Sequence, residues 1–103
     1  MIRHIVFFSV RNPEDFERVE QGLQLLAVTP HARHFEIGRN LNRDAISQTV
    51  DLVVYGEFDD EAALAAYKAD PLYQRSIDIV RPLRELRVAA DFISAHGPGA
   101  DPD

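Results

Sequence analysis

The sequence predicts an α+β domain of the ferredoxin-like class, β-α-β-β-α-β, and three observations carry that prediction. Four segments alternate apolar and polar residues with the two-residue period of strands. Two others repeat apolar residues every three or four positions behind a polar, acidic start, as amphipathic helices do. The two kinds follow one another in the order of a split βαβ unit, which builds one four-stranded antiparallel sheet with its helices on one face. A chain of 103 residues makes one such domain, assigned here to residues 1–95. The Gly-, Pro- and Asp-rich stretch 96–103 reads as a disordered tail.

The first strand runs from Ile2 to Val10. Ile2, His4, Val6, Phe8 and Val10 share one face and Ile5 and Phe7 the other, so both faces call for cover. Asn12-Pro13-Glu14-Asp15 starts a helix, with Asn12 placed to cap, Pro13 suited to the first position and two acids facing the dipole. Phe16, Val19, Leu23 and Leu26 form its apolar stripe, and Thr29-Pro30 ends it. Phe35, Ile37, Arg39 and Leu41 alternate with His34, Glu36, Gly38 and Asn40 in a second strand, where Gly38 suggests a bulge or a close backbone approach. A polar loop covers 42–48, and Thr49 to Phe58 is the third strand. Asp59-Asp60-Glu61 opens a helix through Leu64 and Tyr67; Pro71 ends it or restarts it, with Leu72, Tyr73, Ser76, Ile77 and Val80 at helical spacing beyond. After Pro82, Leu86, Val88, Ala90 and Phe92 alternate with Glu85, Arg87, Ala89 and Asp91 in the fourth strand.

Composition narrows the function. The apolar share of 46% and the charged share of 27% are those of a soluble globule, and no apolar run approaches the roughly 20 residues of a membrane span. No signal-peptide pattern opens the chain, so a cytoplasmic protein is expected. The absence of cysteine excludes disulfides, thiolate nucleophiles and thiolate metal sites. A net charge of −6, with ten arginines and one lysine scattered along the chain, argues against a nucleic-acid partner. There is no nucleophile elbow, phosphate loop or dinucleotide fingerprint, and no cofactor or metal is expected.

Helices on one face of the sheet leave the other open. The set Ile5, Phe7, Val53 and Tyr55, or its counterpart, is too apolar for water, which predicts a homodimer closed face to face about a two-fold axis. Chemistry has few carriers here. His4, a polar ring on an apolar strand, and Tyr67, on the helix that breaks at Pro71, are the natural floor and wall of a pocket between sheet and helices. Phe58 and Tyr73 complete its predicted lining.

Three stretches resemble the stress-responsive dimeric A/B barrel family: His4-Ile5-Val6-Phe7-Phe8, Phe35-Glu36-Ile37-Gly38-Arg39-Asn40, and Tyr55-Gly56-Glu57-Phe58 through Tyr67. The resemblance covers nearly the whole chain and implies the same fold and dimer. A plant polyketide cyclase of that family places pocket residues on a strand-one histidine, a second-helix tyrosine and a last-strand aspartate, which fall on His4, Tyr67 and Asp91. Its general base, two residues after the proline, falls on Tyr73, and the histidine common before the proline is Asp70 here. Free tyrosine titrates near ~10 and does not replace imidazole as a base at neutral pH. Some plant relatives also hold interface magnesium on backbone carbonyls that align with Leu26, Thr29 and Ala32.

Structural readings compete at each position. His4 can be a buried histidine bonded to a neighbour, Tyr67 and Tyr73 core filling, Asp70 a helix cap, and Asp91 a partner of Arg87 or Arg3. His31 and His34 fit a solvated loop better than zinc, having no carboxylate or cysteine nearby in sequence. The functional expectation is a homodimer binding a small apolar or aromatic metabolite through His4, Phe58, Tyr67, Tyr73 and Asp91. The alternatives are an enzyme of the polyketide-cyclase or cofactor-free monooxygenase type, with His4 and Tyr67 catalytic, and a purely structural assembly protein.

Overall fold

A computed structural model describes residues 1–47 and 49–96, and the ferredoxin-like prediction holds. The tail predicted over 96–103 lies, His96 apart, outside the described residues. Strands β1 (Ile2–Val10), β2 (His34–Arg39), β3 (Leu52–Phe58) and β4 (Arg84–Ile93) form one antiparallel sheet in the order β2-β3-β1-β4. Helices α1 (Phe16–Gln24), α2 (Glu61–Ala69) and α3 (Pro71–Val80) supply the second layer. Among the described residues no helix is long and apolar enough to cross a membrane.

β1 lies inside the sheet, paired along both edges, and is apolar on both of its faces. Its register with β3 and β4 pairs His4 with Gly56 on one side and with Asp91 on the other. Residues directly opposite share a face, so His4, Val6, Phe8, Val54, Leu52 and Phe58 all look toward the helices. Val19, Leu23 and Leu26 from the α1 segment, with Leu64, Tyr67 and Val80 from α2 and α3, close this core. The opposite face shows Phe7 at 38% exposure and Val88 and Phe92 at 49% each. At its centre Arg3 is buried by a bond to Glu57 at 2.7 Å, and the Tyr55 hydroxyl donates to the same carboxylate at 2.6 Å.

Several local expectations need correction. Asn12 does not cap with its side chain; its carbonyl accepts the Asp15 amide at 2.9 Å inside a 3-10 turn, Pro13–Asp15, and the α-helix begins only at Phe16. The same helix tightens into a 3-10 turn, Leu25–Val28, before Thr29. Gly38 makes neither a bulge nor a close approach. It pairs regularly with Val53, and a Cβ there meets nothing within 4 Å. The register shift falls instead between Ser9 and Val10, where Glu85 is the unmatched residue of β4. β3 starts at Leu52 rather than Thr49, and Asp51, just before it, accepts the Val10 amide on its carboxylate at 2.7 Å.

Pro71 restarts the helix. Asp70, with extended backbone, ends α2 and caps α3, its carboxylate accepting the Leu72 amide at 2.9 Å. The other carboxylate oxygen meets His31 Nε2 at 3.2 Å, tying the loop after α1 to the joint between α2 and α3. The bond from Leu72, offset in part by burial and helped by His31, holds the Asp70 carboxyl below its ordinary value.

α1 and α3 approach closely at Gly22, where a Cβ would meet the Ile79 and Val80 γ-methyls at 2.9 Å. Both neighbours are β-branched and stiff. Gly22→Ala gains about 1 kcal/mol of helix propensity but overpacks this crossing by roughly 1–3 kcal/mol. The expected result is a lower urea midpoint with an unchanged m-value; a raised midpoint would show that the helices have room to part.

Candidate functional site

The site grows from the middle of β1. A histidine at position 4 must point at the helices because Ile2, Val6 and Phe8 do. There it is 1% exposed, and such a ring needs partners. Its Nδ1 meets Asp91 Oδ1 at 2.5 Å across the β1–β4 ladder. Phe58 and Tyr67 pack edge-on against the imidazole, with ring centroids 6.2 and 6.0 Å away. Gly56, beside His4 on β3, leaves the space taken by the rings of Phe35 and Phe58, both 2.9 Å from where a Cβ would stand.

Between this floor and the helices lies a cavity of about 280 Å³. Apolar wall comes from Val6, Phe8, Leu23, Leu26, Val54 and Val80. Tyr67, from α2, is 2% exposed and packs edge-on against Tyr73 of α3 at 5.1 Å; both line the cavity. Among the described residues, no side-chain nitrogen or oxygen sealed from solvent lacks a hydrogen-bond partner. Among the described residues the Tyr67 hydroxyl and His4 Nε2 have no hydrogen-bond partner, and both residues line the cavity.

Burial lowers the His4 pKa, and Asp91 opposes that shift without reversing it; the charges of Lys68 and Arg87 add to the lowering. The ring is therefore neutral at pH 7. Its Nδ1–H donates to Asp91, which leaves the Nε2 lone pair facing the cavity. Burial pushes the Tyr67 phenol well above its ordinary value, with Tyr73 adding to the shift and Arg87 opposing it. At physiological pH the cavity thus offers an acceptor or base at Nε2 and a donor at the phenol.

Three predicted lining residues, His4, Tyr67 and Tyr73, meet in this space. Phe58 does not reach it; the ring is fully buried behind Tyr67, 5.1 Å centroid to centroid. Asp91 does not reach it either. It stands behind His4, and its partner is the imidazole rather than Arg87 or Arg3. Sequence reading missed Ser76, Arg81, Arg84 and Arg87 in the lining. The recurrence of arginine every third residue from 81 to 87 was the available signal, but it spans a helix end and a strand and reads there as scatter.

His31 and His34 do not converge. His31 bonds Asp70, and His34 bonds Glu36 at 2.9 Å. Among the described residues no three histidine, cysteine or acidic side chains are grouped to hold a metal. The Leu26 carbonyl already accepts the Thr29 amide at 3.1 Å, and the Leu26, Thr29 and Ala32 set has no charged ligand for magnesium, so this set does not fit the ion.

Residues 2–94 match the model of the stress responsive A/B barrel domain family. No curated protein matches the chain. A dimeric ferredoxin-like protein of unknown function from Thermobifida fusca is 28% identical, with 88% of each chain covered and a TM-score of 0.74. A Dabb family protein with a ferredoxin-like fold from Mesorhizobium loti is 22% identical over 92% of this chain and 97% of that one, with a TM-score of 0.75. A candidate antibiotic biosynthesis monooxygenase from Nitrosomonas europaea is 21% identical over 93% of this chain and all of that one, with a TM-score of 0.77. The last two likenesses speak to the fold alone.

The His4–Asp91 pair makes two titrations informative. Between the lowered native value of His4 and the ordinary imidazole value near ~6.5, the unfolded chain binds a proton that the folded chain does not. The His4 contribution to stability is therefore complete above that window and lost as pH falls through it. Denaturant midpoints of wild type are expected to fall more steeply below pH ~6.5 than those of His4→Gln. Asp91→Asn removes the one charge that raises the His4 pKa, so an imidazole NMR titration is expected to move further down; an upward move would contradict the assigned pairing.

Proposed function

This chain belongs to the stress responsive A/B barrel domain family, and on that premise we propose that it is a homodimer that binds a small, partly apolar or aromatic metabolite between sheet and helices. The observation that carries the reading is the cavity beside His4. A ring or short chain of the ligand packs on Val6, Leu23 and Val54, flanked by Tyr67 and Tyr73. The Tyr67 hydroxyl donates to a ligand oxygen, and His4 Nε2 accepts from a ligand hydroxyl or amide. Asp91 is a positioning residue, holding the imidazole in the Nδ1–H tautomer. The volume lies just below the ~300–1,000 Å³ range of ligand pockets, which favours a molecule of about one ring. A purely structural protein has no use for such a space, because voids in a core cost stability.

The dimer places the open face of one sheet on that of its copy. Ile5, Phe7, Val53, Tyr55, Val88 and Phe92 supply a contiguous apolar surface. An isologous contact on this face repeats every substitution twice across the axis. The dimeric relative from Thermobifida fusca supports the same assembly here.

A second reading is favoured by the 2.5 Å bond between Asp91 and His4 Nδ1, which is the arrangement that orients a general base. In an enzyme of the polyketide-cyclase or cofactor-free monooxygenase type, Nε2 takes a proton from a ligand carbon or hydroxyl while Tyr67 donates to the developing oxyanion. In that case His4→Ala abolishes turnover while the dimer survives; equal turnover in both proteins removes the reading.

Thermal shift against a library of small aromatic acids tests binding. A ligand at ten times its Kd is expected to add about 1.4 kcal/mol, a rise of several degrees for a chain of this size. Tyr67→Phe, which deletes only the hydroxyl, is expected to reduce that rise. A flat response across the library overturns the binding role. Sedimentation at micromolar concentration is expected to show a dimer for wild type and a single protomer for Phe7→Glu, and a wild-type protomer would overturn the assembly.

A further inference from the structure

Arg81, Arg84 and Arg87 all line the cavity. Among the described residues none of the three has a carboxylate within ion-pair distance. Acids outnumber bases 17 to 11, and Arg3, Arg11, Arg18, Arg33 and Arg39 each meet an acid. Three like charges gathered without a partner cost stability, and burial together with the charges of Arg87 and Arg81 pulls the Arg84 pKa down.

The backbone is shaped to bring them together. Arg81 follows the last residue of α3. Arg84 and Arg87 are three apart on β4, and in a regular strand that spacing puts two side chains on opposite faces. The extra residue, Glu85, restores them to the same face: Arg87 stands opposite Phe8, and Arg84 opposite Val10. The shift is supported by side chains, since the Ser9 hydroxyl accepts the Leu86 amide at 3.0 Å and Asp51 takes the amide of Val10. Within the same cavity the Tyr67 hydroxyl and His4 Nε2, both on nearly fully buried side chains, have no hydrogen-bond partner among the described residues.

We infer that the three arginines are the anion-binding rim of the cavity, so that its ligand is a small amphipathic carboxylic acid, carboxylate on the arginines and apolar body on the walls below. The inference rests on the reading of the cavity as a ligand site and adds the charge of what enters it. Arginine is suited to the task because its planar fork binds a carboxylate through two parallel hydrogen bonds. A polar substituent at the far end of the ligand meets Tyr67 and His4. A positive rim on a protein of net charge −6 also steers such an anion toward the cavity.

Matched acids and amides separate charge from shape. 3-Phenylpropanoate and 3-phenylpropanamide, and octanoate and octanamide, are titrated calorimetrically into the full chain. In each pair that binds, the acid is expected to bind about tenfold tighter or better, the preference shrinking with added salt. Arg84→Gln with Arg87→Gln is expected to lower the acid to the level of its amide. Should that double variant not fold, Arg87→Gln alone, at an exposed position, is expected to weaken the acid several-fold. Equal binding of acid and amide by wild type, or an acid preference that survives the substitutions, overturns the rim while leaving the cavity a binding site. If neither acid nor amide binds, the cavity reading falls and the rim with it.

Discussion

The fold depends on one constraint: β1 is apolar on both faces, but the chain supplies helices for only one of them. Inside the sheet, β1 gains two paired neighbours and aims Ile2, Val6 and Phe8 at the helical layer, where the core forms. Its other face keeps Ile5 and Phe7 in the open, joined by Val53, Tyr55, Val88 and Phe92 from the flanking strands. The proposed dimer is the second half of the same solution, since it covers the face that the helices do not. The bonds among Arg3, Tyr55 and Glu57 satisfy these three side chains internally, which suits them to being covered by an apolar surface.

The same strand puts a histidine where a hydrocarbon would pack with less cost. Desolvation disfavours the charged ring, so His4 is held neutral, and Asp91 fixes which nitrogen carries the proton. Around it the aromatic rings of Phe35, Phe58 and Tyr67 contact one another edge-on or tilted, a stiff wall with few rotamers to lose. The polar groups that remain unused, His4 Nε2 and the Tyr67 hydroxyl, share the cavity. Departures from the most stable packing thus gather on one side of the sheet, at its centre, which is where a binding or reacting group is held most rigidly.

Charge follows the same division. The protein as a whole is acidic, and four of its ten arginines, Arg11, Arg18, Arg33 and Arg39, form surface pairs worth little each. At the cavity, Arg84 and Arg87 are brought to one face by a one-residue irregularity in β4 that Ser9 and Asp51 stabilise. A bulge of this kind re-aims a side chain without disturbing the rest of the ladder. The proposed carboxylate ligand draws on that geometry.

What the sequence determined by itself is the part governed by local periodicity and by residue type. The alternation in β1 and β4, the stripe Phe16–Val19–Leu23–Leu26 and the Asp70-Pro71 joint lead to the observed order of elements, because strand and helix periods and cap chemistry are short-range properties. His4 and Tyr67 stood out because a polar group on an apolar face must find something to bond. Register lay beyond reach. Gly38 looked like the bulge from its residue type, yet the ladder absorbs it and shifts at Ser9 and Val10 instead, a choice made by Asp51 and by pairing partners far away in the chain. That one-residue shift places Arg84 beside Arg87, and the β1–β4 pairing gives Asp91 to His4 rather than to an arginine. Only the tertiary structure decided these contacts, because a strand's own alternation sets which residues share a face, whereas its register against its neighbours sets which residues meet across the ladder.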